Sequence, residues 1–104
     1  MRTVSVHDLK TLLDQPESAD LELVDVREPY EYAEGHVPGA RLVPLAGVPQ
    51  LVGDLPTDRP VYVVCAVGGR SAQAAMFLVH HGVDAVNVAG GTGDWAAAGY
   101  PLER

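Results

Sequence analysis

The run Val61-Tyr62-Val63-Val64-Cys65 constrains this chain more than any other segment. Five apolar residues without polar alternation suit a strand covered on both faces, as in the middle of a parallel sheet. A glycine-rich turn follows at once, Ala66-Val67-Gly68-Gly69-Arg70. A helical stretch then runs from Ser71 to His81, and Gly82 ends it. Its apolar residues lie nearly all round, which predicts a buried helix. Strand, tight turn and helix in that order form the unit from which parallel sheets are wound.

The remaining segments predict shorter elements. Val4 and Ser5 start a short edge strand. Ser5 or His7-Asp8 opens a helix to about Asp14, with Leu9, Leu12 and Leu13 on one face. Leu21 to Val26 is apolar and β-branched and predicts a strand. Pro29 suits the first turn of a short helix, Tyr30 to Ala33, that stops at Gly35. Residues 36–40 form a turn and Arg41 to Leu45 a third strand. Ala46 to Gly53 gives one or two helical turns, with Pro49 limiting their start. Ala85 to Val88 is a further strand, and Asp94 to Ala98 a last helix closed by Gly99. Strands alternating with helices predict one α/β domain over residues 1–104, with a mainly parallel sheet. Ligands in such sheets sit at the carboxyl ends of strands, which is where the Cys65 loop falls.

Composition narrows the function classes. The chain has 104 residues, 14 acidic against 7 basic side chains, a formal net charge of −7 and one cysteine. A chain of this size buries roughly two-thirds of its unfolded surface, enough for a core without staples. A lone cysteine excludes an internal disulfide framework, a four-cysteine zinc site and a C-x-x-C redox pair. The acidic balance argues against nucleic acid and anionic membrane as partners. Neither an apolar leader nor a run of membrane-spanning length is found, so the expected setting is soluble and cytoplasmic.

Cys65 is the sharpest candidate. A lone cysteine after an apolar run is ordinarily a core thiol. Here the glycine turn lets successive backbone N–H groups point inward as an anion nest, and the following helix start adds its positive end. A thiol so placed has a lowered pKa and serves as a nucleophile. Arg70 in the first helical turn opposes the helix dipole, so it calls for an anion nearby, either a substrate oxyanion or a carboxylate of the fold. Ser71 suits an N-cap and, compatibly, a hydrogen bond to the site. The four histidines form no metal set. His80-His81 suits a helix end, His7 lies near a helix start, and His36 holds a turn. Sequence separation leaves a Cys65–His pair open, although the nest would activate the thiolate without one. Asp25 and Arg27 are expected to make structural ion pairs, whereas Glu28, Glu31 and Glu34 suit a solvated face. Gly91-Thr92-Gly93-Asp94-Trp95-Ala96 fits a dinucleotide-binding pattern. Too few residues follow it for a second strand and an acidic ribose ligand, so that reading is rejected. Trp95 and Tyr100 are expected to pack over the last helix.

Three motifs together resemble the rhodanese-like sulfurtransferase family. Asp25 to Tyr32, followed by Gly35-His36-Val37-Pro38-Gly39-Ala40, looks like its first signature. Cys65-Ala66-Val67-Gly68-Gly69-Arg70-Ser71 looks like its active-site loop, and Gly90-Gly91 with Trp95 like its C-terminal signature. The resemblance implies a small α/β fold with a central, mostly parallel five-stranded sheet flanked by helices. It implies that Cys65 takes a sulfane sulfur from a small anionic donor such as thiosulfate, becomes a persulfide, and passes the sulfur to a thiol, cyanide or a protein acceptor. It further implies that the amides of Ala66, Val67, Gly68, Gly69 and Arg70 cradle the persulfide, with Arg70 orienting the donor, and that no cofactor or metal is required. Phosphatases and arsenate reductases of the same fold use C-x5-R. Here Cys65 to Arg70 is C-x4-R, a smaller cradle suited to sulfur rather than a tetrahedral oxyanion. The remaining alternative is a non-catalytic module or a persulfide carrier serving a partner.

Overall fold

A computed structural model describes residues 1–104. In chain order its elements are β1 (Arg2–Val4), α1 (Val6–Leu13), β2 (Glu22–Asp25), α2 (Pro29–Glu34), β3 (Arg41–Leu42), α3 (Val48–Leu51), β4 (Val61–Val64), α4 (Gly69–His80), β5 (Ala85–Val88) and α5 (Gly91–Ala97). Short 3-10 turns lie at Pro16–Asp20, Leu45–Gly47 and Val52–Asp54. The five strands form one sheet in the order β1-β5-β4-β2-β3. All four neighbouring pairs are parallel, in register Val24↔Val63 and Val63↔Asn87 at the centre.

The unbroken apolar run of β4 is explained by its place, because every residue of it is buried. Alternate side chains serve opposite faces. Val61, Val63 and Cys65 join Val24, Val26 and Ala85 under α3 and α4, where Leu51, Ala74, Ala75 and Leu78 complete a core. Val64 and Tyr62 join Leu23, Val86 and Val88 on the other face, against Val6 and Leu9 of α1 and Trp95 of α5. Each fully buried valine contributes about 1.5–3 kcal/mol relative to leaving it in water.

Several boundaries differ from the sequence expectation, each for a local reason. Ser5 is not in the edge strand. It caps α1, its hydroxyl accepting from Asp8 N at 3.1 Å while Ser5 N donates to the Asp8 carboxylate at 3.1 Å. β3 is only two residues long, although Val43 N still donates to Asp25 O and Leu45 N to Val26 O. The ladder stops because the next amide beyond β2, Arg27 N, donates to the Asp25 carboxylate instead of to β3. α4 begins at Gly69 rather than Ser71, because Gly68 alone takes the left-handed turn, at φ 111°. α4 is not buried all round either. Met76 and Val79 are exposed on its outer side, since it covers one face of the sheet and nothing covers it. α5 begins at Gly91, three residues earlier than expected. The turn at Pro16–Asp20 has no counterpart in the sequence expectation. No helix is long and apolar enough to cross a membrane.

Candidate active site

Cys65 follows β4 directly and is 1% exposed, at the floor of the loop that leads into α4. Its Sγ lies 3.1 Å from Gly68 N and 3.3 Å from Ser71 Oγ. Ser71 is the third residue of α4, not its cap, which places its hydroxyl under the loop. That hydroxyl lies 2.6 Å from Asn87 Oδ1 of β5 and 3.2 Å from Gly68 O. Beside the neutral thiol its single proton goes to Asn87, and it can turn to the sulfur once the thiol ionises. Burial pushes the Cys65 thiol up. Hydrogen bonds from the Ser71 hydroxyl and from the amides of Ser71, Gly68 and Val67 outweigh it, and the pKa is lowered. The thiolate is the nucleophile, so reactivity rises with pH through this pKa. Ser71→Ala removes the largest of the stabilising bonds. Its rate of Cys65 alkylation by iodoacetamide is expected to rise at a higher pH than in the parent. An unshifted profile would remove Ser71 from thiol activation.

The back of the loop rests on the start of α5. Thr92 N donates to Cys65 O at 2.8 Å and Gly93 N to Ala66 O at 2.9 Å. Gly91, at φ 56°, lies so close that a Cβ there would fall 2.2 Å from Cys65 O. The Gly-x-Gly segment rejected above as a dinucleotide site therefore has a role: it abuts the cysteine loop and supplies its carbonyls with donors.

Arg70 finds its anion within the fold. Nη1 and Nη2 donate to Glu31 Oε1 and Oε2 at 2.7 and 2.9 Å, a bidentate pair at the start of α2. Glu31 is thus not merely solvated. The Arg70 hydrogen bonds hold its carboxyl down at about 2, against a smaller opposing effect of burial. Glu31 in turn raises the pKa of the Arg70 guanidinium, against a smaller opposing effect of burial. Tyr30, the neighbour of Glu31 in α2, and Val67, within the loop, are both exposed.

Asp25 and Arg27 form the expected structural ion pair, both buried, with Arg27 Nη2 also donating to Gly35 O at 2.9 Å. His36 stacks on Tyr32 and bonds its carbonyl through Nδ1, holding the turn as expected. His7 meets Tyr100, and His81 bonds Phe77 O, so neither is paired with Cys65. Trp95 and Tyr100 pack edge to face. Asn87 carried no motif signal, and Glu31, although inside the first signature, was expected only to suit a solvated face. A polar residue inside the apolar run Ala85-Val86-Asn87-Val88 was the available hint of a buried polar contact.

Comparison with known proteins bears on the family and the fold. The profile described as Rhodanese-like domain matches residues 5–98. A protein of Allochromatium vinosum named Sulfurtransferase is 38% identical over 87 residues, covering 83% of this chain and 81% of its own. Thiosulfate sulfurtransferase GlpE of Pseudoalteromonas translucida is 32% identical, covering 91% and 89% respectively. The crystal structure of SSP1007 from Staphylococcus saprophyticus superimposes with a TM-score of 0.90 at 35% identity, over 100% of both chains. With its parallel five-stranded sheet and its cysteine loop at the carboxyl edge, the chain belongs to the rhodanese-like domain family.

Proposed function

We propose that this chain is a sulfurtransferase working through a persulfide on Cys65. The Cys65 thiolate attacks the outer sulfur of a donor. With thiosulfate, the S–S bond breaks, sulfite leaves with the bonding pair, and Cys65–S–S⁻ remains. A nucleophilic acceptor (cyanide, a thiol or a protein thiol) then attacks the outer sulfur and regenerates the thiolate. This two-step covalent course predicts ping-pong kinetics.

The observation that carries the reading is the thiol itself: a cysteine sulfur 3.1 Å from a loop amide, its pKa lowered by surrounding donors, at the carboxyl edge of the sheet. The same donors suit the charge of a terminal persulfide sulfur, since fixed dipoles stabilise an anion without reorganising. Ala66 to Ser71 would form the ring around that sulfur, with Arg70 at its rim held by Glu31. The C-x4-R spacing and the small ring disfavour a phosphate monoester.

Intact-mass measurement tests the proposal. Incubation with excess thiosulfate or inorganic polysulfide is expected to add one sulfur atom, which cyanide then removes. The absence of any sulfur adduct with both donors would sink it.

A further inference from the structure

The electrostatics at the mouth of the loop carry a second step, resting on the sulfur-transfer reading. A dianionic donor gains most from an unpaired cation next to the thiolate. Arg70 is not unpaired. Both of its terminal nitrogens are held by Glu31, which is anchored in turn by Glu28 N donating to Glu31 Oε1 at 3.0 Å. Glu31 belongs to α2 and Arg70 to α4, so the pair spans two crossovers and is not a helical neighbour contact. The other nearby arginine, Arg27, is buried against Asp25. Two large apolar or aromatic side chains are exposed on the segments that carry this pair and the thiol: Val67, in the loop, at 78% and Tyr30, next to Glu31, at 68%.

We propose that Glu31 is a specificity-determining residue: by neutralising Arg70 it selects sulfane-sulfur donors of low charge bearing an apolar group over small dianions such as thiosulfate. Backbone amides remain to receive the sulfur, so the chemistry is kept while the gain specific to a dianion is withdrawn. An aryl group on the donor would meet the Val67 and Tyr30 side chains. Benzenethiosulfonate is the matched probe. Its outer sulfur passes to Cys65 with benzenesulfinate leaving, just as sulfite leaves thiosulfate, and it carries one negative charge instead of two.

The test measures kcat/KM for both donors with cyanide as acceptor. Glu31→Gln keeps the acceptor oxygen for Glu28 N and Arg70 but removes the charge. It is expected to raise the thiosulfate-to-benzenethiosulfonate ratio about fivefold at low salt, shrinking as ionic strength rises. Glu31→Asp, which keeps the charge, is expected to stay near the parent ratio. An unchanged ratio in Glu31→Gln, whether both rates hold or both fall, overturns the proposal, as does an equal shift in Glu31→Asp. If neither donor modifies Cys65 in the parent chain, the sulfur-transfer reading itself falls, and this inference with it. Persulfide formation by both donors with an unmoved ratio leaves that reading standing and removes only the role of Glu31.

Discussion

Cys65→Ser is expected to abolish sulfur uptake while leaving the chain folded. The replacement is nearly isosteric, and the introduced hydroxyl can still accept from Gly68 N and meet Ser71, so the buried position stays satisfied. What is lost is the nucleophile. A serine hydroxyl has no neighbouring general base here, and the loop amides cannot hold an alkoxide in useful amounts near neutral pH. Donor turnover should fall by at least about 10³-fold, as when a covalent nucleophile is removed from other enzymes. Far-ultraviolet circular dichroism should match the parent, and intact mass should show no added sulfur. Cyanide-dependent turnover persisting in this variant would assign the chemistry to another group.

Asp25→Ala has the largest expected cost in stability. Asp25 is 0% exposed and accepts from Arg27 Nε, Nη2 and backbone N. Removing it strands a buried guanidinium, a change that ordinarily costs about 3–5 kcal/mol. Against a total stability of about 5–15 kcal/mol, that is a substantial share. The double variant Asp25→Ala/Arg27→Met removes the stranded charge and should recover part of the loss in urea unfolding. A loss below about 1 kcal/mol in the single variant, well short of the cost of an uncompensated buried charge, would show that Arg27 finds water or another partner. The pair also bears on the site. Arg27 joins the end of β2 to Gly35 at the close of α2, so it fixes the helix that presents Glu31.

The central architecture was legible because burial writes itself into side-chain pattern. β4 and β5 read directly as apolar runs, and Cys65 was placed by the strand that precedes it. Shorter features were blurred where a single backbone property decides. β3 ends early where Arg27 N turns to the Asp25 carboxylate, although Val43 N and Leu45 N still reach β2. Of the adjacent glycines, only Gly68 needs its positive φ, so the helix begins at Gly69, where nothing would obstruct a Cβ. The partners of the site were harder to see. Glu31 and Arg70 lie 39 positions apart and Ser71 and Asn87 16 apart. Nothing in the local sequence says which carboxylate among several the fold will bring to a given arginine. The interplay of Gly91 with the Cys65 carbonyl is likewise a contact between loops after neighbouring strands, visible only once β4 and β5 are side by side.

The strand order β1-β5-β4-β2-β3 has a consequence for how such a protein can diversify. Reactivity of the sulfur is set from one flank of β4, by Ser71 and Asn87 toward β5. The proposed selection among donors acts from the other, through Glu31 arriving after β2. The two controls are carried by different segments of the chain, so donor preference can drift through changes in α2 without disarming the thiol.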